Sequence, residues 1–138
     1  MNYPYSILFS GIILLLSTST STSISAQCVE GESEVVVQIL TDNYPGETTW
    51  TLSDASGELL TGGPYSASNT TYTASACIAN TGEPSCLQFV IDDSYGDGIC
   101  CGYGDGAVTL LIDGVEVATG GNVGYQDMVM VDCAPGTT

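Results

Sequence analysis

Two acidic loops, the second rich in glycine and the first a weaker copy of it, each set between short β-like runs, constrain this fold more than any other feature. The first is Thr41-Asp42-Asn43-Tyr44-Pro45-Gly46-Glu47. The second, Asp92 to Gly106, packs four carboxylates, five glycines and the adjacent pair Cys100-Cys101 into one stretch. Val37-Gln38-Ile39-Leu40 leads into the first loop as Gln88-Phe89-Val90-Ile91 leads into the second, and Tyr44 matches Tyr95 at an offset of 51. Beyond the loops, Thr51-Leu52 matches Thr109-Leu110, Gly57 matches Gly114, and Thr61-Gly62-Gly63 matches Thr119-Gly120-Gly121. The offset there is 57 to 58, so the second loop carries six or seven extra residues around Ile99 to Asp105. The repeat halves cover about 34–63 and 86–121.

Helical spacing of apolar residues is absent. Glu34–Leu40, Thr48–Leu52, Thr70–Ala74, Leu87–Ile91, Ala107–Ile112, Gly114–Ala118 and Met128–Val131 read as strands. Each is short and bounded by Gly, Asp, Asn or Pro, as in sandwiches and barrels. Asp113-Gly114 suits a two-residue type I′ hairpin. The expected fold is all-β: a disulfide-stapled, jelly-roll-like β-sandwich built from an internal duplication. Its loops would lie at one or both ends, where binding sites concentrate.

Residues 1–26 have the layout of a secretory signal peptide, with an apolar run from Ser6 to Leu16, a Ser/Thr stretch and a small residue at Ala26. Cleavage is expected before Gln27, leaving 27–138 as a single domain. The n-region has no Lys or Arg, so an uncleaved anchor is the alternative, although the run is short for a span. All six cysteines, Cys28, Cys77, Cys86, Cys100, Cys101 and Cys133, fall after this segment. An even count behind a leader implies disulfides in an oxidising, extracellular setting. Cys28 and Cys133 bracket the domain and are expected to clasp its ends. Cys77 and Cys86 would pair with each other or with the Cys100-Cys101 step. The second option is preferred, because a ring between neighbouring residues is strained.

The chain has sixteen acidic residues and no Lys, Arg or His, giving a net charge of −16. Without cations it has no electrostatic means of holding nucleic acid or an anionic membrane. Self-repulsion opposes compaction unless bound cations or external salt offset it. Ser-His and Schiff-base catalysis are excluded by composition. Paired carboxylates could hydrolyse glycosides, but a domain this small offers little wall for a deep cleft, so no enzyme activity is expected.

Thr41-Asp42-Asn43-Tyr44-Pro45-Gly46-Glu47-Thr48-Thr49-Trp50 together with Asp93-Ser94-Tyr95-Gly96-Asp97-Gly98-Ile99-Cys100-Cys101 resembles a module in secreted proteins of diatoms and related marine algae. Similar segments occur beside secreted peptidases of marine bacteria. The resemblance spans roughly residues 35 to 125 and implies an extracellular β module without naming a reaction.

Asp92, Asp93, Asp97 and Asp105, with Asp42, Asn43 and Glu47 of the first loop, are candidate ligands for Ca²⁺, which prefers hard oxygen donors. The spacing is not an EF-hand: a loop opening at Asp93 would need Glu at 104 and has Gly104. Gly102 to Gly106 is only faintly like a calcium-binding β-roll repeat. The competing reading is a pair of solvated acidic turns. Zinc is not expected, since there is no His and the cysteines are oxidised.

Trp50, Tyr44, Tyr65, Tyr95, Tyr103 and Tyr125 could stack on sugar rings. Tyr44, Tyr95 and Tyr103, all in the loops, are the preferred candidates, whereas Trp50 is expected in the core because large aromatics are usually mostly buried. Asn69-Thr70-Thr71 is an N-glycosylation sequon. The favoured expectation is a non-enzymatic, calcium-binding, self-assembling subunit of an extracellular filament or matrix. The alternative is a calcium-dependent carbohydrate-binding or adhesion module, which would expose a row of aromatics beside the metal and remain monomeric.

Overall fold

The computed structural model describes residues 28–80, 86–121 and the backbone of 126–131. The leader segment, Tyr125 and Cys133 lie outside the described residues. Eight strands form: β1 (Glu32–Leu40), β2 (Thr48–Asp54), β3 (Gly57–Gly62), β4 (Thr71–Ala79), β5 (Leu87–Asp93), β6 (Ala107–Ile112), β7 (Val115–Gly120) and β8 (Gln126–Val131). They build two antiparallel four-stranded sheets, ordered β4-β1-β6-β7 and β3-β2-β5-β8. β1 alternates half-buried and buried residues along its whole length, which turns Val35, Val37 and Ile39 inward. β5 alternates likewise and turns in Leu87, Phe89, Ile91 and, at its end, Asp93. Ile78, Val108 and Leu110 from the first sheet join Trp50 and Leu52 from the second in one buried cluster. The result is a β-sandwich.

Exchanging β1–β4 with β5–β8 converts one sheet order into the other. The hairpins agree residue by residue. Trp50 faces Gly62 and Thr51 faces Thr61, while Val108 faces Gly120 and Thr109 faces Thr119. Register shifts occur after Leu52 in one hairpin and after Leu110 in the other. Thr61 Oγ1–H donates to the Trp50 carbonyl at 2.9 Å and Thr119 Oγ1–H to the Val108 carbonyl at 3.1 Å. The Asp113-Gly114 turn has positive φ at both positions, as a type I′ turn requires.

One alignment needs correcting. Within the entering strands the structural offset is 52, not 51, because Val37 faces Leu110 as Phe89 faces Leu52. An offset of 51 would set buried Val37 against half-buried Gln88, on the wrong face. A one-residue slip exchanges the two faces of a strand. The offset of 52 matches buried Asp93, the last residue of β5, to buried Thr41, just past β1, and the halves return to 51 at the loops, where Asp93 and Asp42 make equivalent turns.

The disulfide expectation is also corrected. Cys28 bonds Cys77 rather than Cys133, with Cα atoms 5.5 Å apart. The segment entering β1 lies against the end of β4, its neighbour in the sheet, within bridging reach. Cys77 therefore sits at the far end of β1 from the Asp/Gly loops, away from Cys100 and Cys101. Those two bond to each other across a cis peptide, with Cα atoms 3.1 Å apart. Cys86 is disulfide-bonded as well.

Candidate functional site

Both Asp/Gly loops lie at the same end of the sandwich. Leu40, the last residue of β1, faces Ala107 at the start of β6, and Thr48, opening β2, faces Asp93, closing β5. Each loop thus crosses from the centre of one sheet to the centre of the other, and the two crossings run side by side. Backbone bonds tie them together. Asn43 N–H donates to the Tyr103 carbonyl at 3.1 Å, and Ser94 N–H donates to the Glu47 carbonyl at 3.0 Å.

Each loop opens with the same device. Asp42 Oδ1 accepts Tyr44 N–H at 2.8 Å, and Asp93 Oδ1 accepts Tyr95 N–H at 2.9 Å. An aspartate that bonds the backbone two residues on makes an Asx turn. Asp93 also accepts Gly98 N–H through Oδ2, so its buried carboxylate is held at both oxygens. The extra residues of the second loop begin at Ile99, which is buried in the core. A bridge between Cys100 and Asp105 then closes a small hairpin with Tyr103 near its tip. Gly104, with φ of +139°, lies against the first loop: a Cβ there would come within 3.0 Å of the Asp42 Cβ. The first loop is braced from its other side by Tyr65 N–H on the Pro45 carbonyl and Asn69 N–H on the Asp42 carbonyl.

Of the expected ligands, Glu47, Asp93 and Asp97 converge, with carboxylate oxygens within 4.8 Å of one another. Asp42 is buried close enough for its charge to act on Glu47. Partial burial lifts the Glu47 carboxyl above its ordinary range, and the negative charges of Asp93, Asp97 and Asp42 lift it further. Three oxygen donors on two loops, with no cation in the sequence to neutralise them, suit a hard divalent ion. Asp92, Asp105 and Asn43 stand outside this cluster. Asp92 precedes Asp93 on β5 and so points to the opposite face of the sheet. Asp105 is exposed in the small hairpin, and the Asn43 side chain accepts Asn69 Nδ2–H at 3.1 Å.

The three loop tyrosines come together beside the carboxylates. Tyr44, Tyr95 and Tyr103, with Glu47 and Asp97, line a cavity of about 250 Å³. They are 50%, 70% and 53% exposed, high for aromatic side chains. The Tyr44 and Tyr103 rings meet edge to face at 5.7 Å. Trp50 is in the core, as expected, with its ring 5.7 Å from Phe89. Its indole N–H donates to the Tyr65 hydroxyl at 2.6 Å, and the Tyr65 ring stacks on Tyr72 at 4.2 Å. Sequence reasoning missed the backbone partners that hold the site: the carbonyls of Glu47 and Tyr103, and the N–H of Gly98. Main-chain groups carry no residue-type signal.

No family model matches this chain, and neither the curated proteins nor the solved structures contain a match to it.

Proposed function

We propose that this chain is a secreted, non-catalytic adhesion module that binds carbohydrate at its paired-loop end, with Ca²⁺ held by Glu47, Asp93 and Asp97. The observation that carries the reading is the grouping of three exposed tyrosines and two carboxylates around one shallow cavity. Exposed rings beside fixed polar groups are what a sugar face needs: stacking area with hydrogen-bond acceptors at its margin. The cluster draws on both loops, so a bound ion would fasten the crossing that presents the tyrosines. Its disulfides are consistent with an oxidising compartment, and extracellular placement is part of this proposal.

Retention on a glycan array in Ca²⁺ tests the reading. Binding that falls in chelator and with Tyr95→Ala or Tyr103→Ala supports it, whereas no retention of any glycan removes it.

A second reading, the self-assembling subunit, is favoured by β7. This edge strand leaves Val115 and Val117 exposed, and unpaired edges can accept another chain. Sedimentation separates the two. A monomer in Ca²⁺ supports the binding module, and Ca²⁺-dependent oligomers that a Val117→Lys substitution abolishes support assembly through β7.

A further inference from the structure

We infer that the glycan taken by this cavity carries free amino groups. The inference rests on the carbohydrate-binding reading above and names its ligand class. Glu47 and Asp97 line the cavity with the three tyrosines. Asp93 touches the same cluster, and the charge of Asp42 reaches Glu47. These four carboxylates amount to four negative charges at one end of the sandwich. A bound Ca²⁺ cancels two and leaves the site negative. No Lys, Arg or His exists in the chain to reverse that sign.

A uronate or sulfated glycan therefore meets net repulsion, with the bound ion as its one cationic partner and no cationic side chain beside it. A neutral glycan gains ring stacking and hydroxyl hydrogen bonds to the carboxylates, but no charge attraction. An amino glycan uses both halves of the cavity. Its ring lies on a tyrosine, and its ammonium is attracted to the π face of a neighbouring ring and to Asp97 or Glu47. Both carboxylates are at least partly exposed, so each ion pair adds modestly. Cation–π attraction and one such pair together amount to about tenfold in affinity.

The test is calorimetric titration of the folded chain in Ca²⁺ with three probes: a glucosamine oligomer, its fully N-acetylated counterpart and an oligogalacturonate. The glucosamine oligomer is expected to bind about tenfold more tightly than the acetylated one. Added salt should narrow that gap, since exposed charges are screened. Asp97→Asn should lower affinity for the amino oligomer more than for the acetylated one and so narrow the gap between them, while Tyr95→Ala weakens both. Equal binding of the amino and acetylated oligomers, or tighter binding of oligogalacturonate, overturns the amino-glycan inference and leaves carbohydrate binding standing. Failure of all three probes to bind, in a protein whose array retention is also nil, overturns both.

Discussion

Ser94 donates its backbone N–H to the Glu47 carbonyl at 3.0 Å, and this bond joins the two crossing loops where their carboxylates converge. The bond holds Glu47 of the first loop beside Asp93 and Asp97 of the second. Neither loop alone has three converging carboxylates, so the candidate metal centre exists only while the loops stay fastened.

Calcium is expected to raise thermal stability and a chelator to lower it. An ion that binds only the folded state at a hundredfold excess over its dissociation constant stabilises by about 2.7 kcal/mol. Glu47→Gln should remove most of that response, and Asp105→Asn, outside the cluster, should leave it intact. Differential scanning calorimetry with and without Ca²⁺ reads both.

Metal-free protein is expected to become more stable as pH is lowered from neutrality through the Glu47 range. The Glu47 carboxyl titrates above its ordinary value because of burial and the charges of Asp93, Asp97 and Asp42. The folded state therefore binds more protons than the unfolded chain between the ordinary and the raised value. Stability falls as pH rises through that window, and the loss is complete above it. Urea midpoints across pH in chelator should show this slope, and Glu47→Gln should flatten it. Saturating Ca²⁺ should flatten it too, since the ion takes the place of the proton.

Asp93→Ala should cost about 2 to 3 kcal/mol even without metal. It strands the Tyr95 and Gly98 N–H groups that the carboxylate accepts, and orphaned donors at buried sites cost about 1 to 3 kcal/mol. Chemical denaturation of the chelated protein measures this apart from any effect on ion binding.

Gly62→Ala should destabilise by about 1 to 3 kcal/mol, the usual range for overpacking a filled core. A Cβ at Gly62 would come within 2.6 Å of the Trp50 indole, which is clamped by Phe89 and the Tyr65 hydroxyl. Gly120→Ala, at the equivalent place in the other hairpin, meets no atom within 4 Å and should be near neutral. Denaturant midpoints of the two variants provide the comparison.

Removing the Cys28–Cys77 bridge with a Cys28→Ala, Cys77→Ala pair should cost about 4 kcal/mol. The bridge joins residues 49 apart in the chain, and the entropy it removes from the unfolded state is of that size. Ligand binding at the opposite end of β1 should survive at temperatures where the variant stays folded. Denaturation and calorimetric titration of the same sample test both parts.

The hairpins are legible in the sequence because Thr51-Leu52 and Thr109-Leu110 are followed by the same turn and glycine signals at an offset of 57 to 58. β3 is harder to read: Gly57-Glu58-Leu59-Leu60 does not alternate, and only its place in the repeat points to a strand. Asp93 is legible as a candidate ligand but not as a buried group at an inward strand position. Asp92, its neighbour of the same residue type, faces the other way, and composition has no means of telling the two apart.

The all-β class, the strand spacing, the buried Trp50 and the lack of any counter-charge for the carboxylates all follow from local pattern or composition. Three facts do not: both loops share one end, Cys28 reaches Cys77, and Glu47 meets Asp93 and Asp97 while Asp92 and Asp105 stay out. These arise only in the folded chain. They depend on which strands become neighbours, and strand pairing brings together residues that the chain keeps far apart.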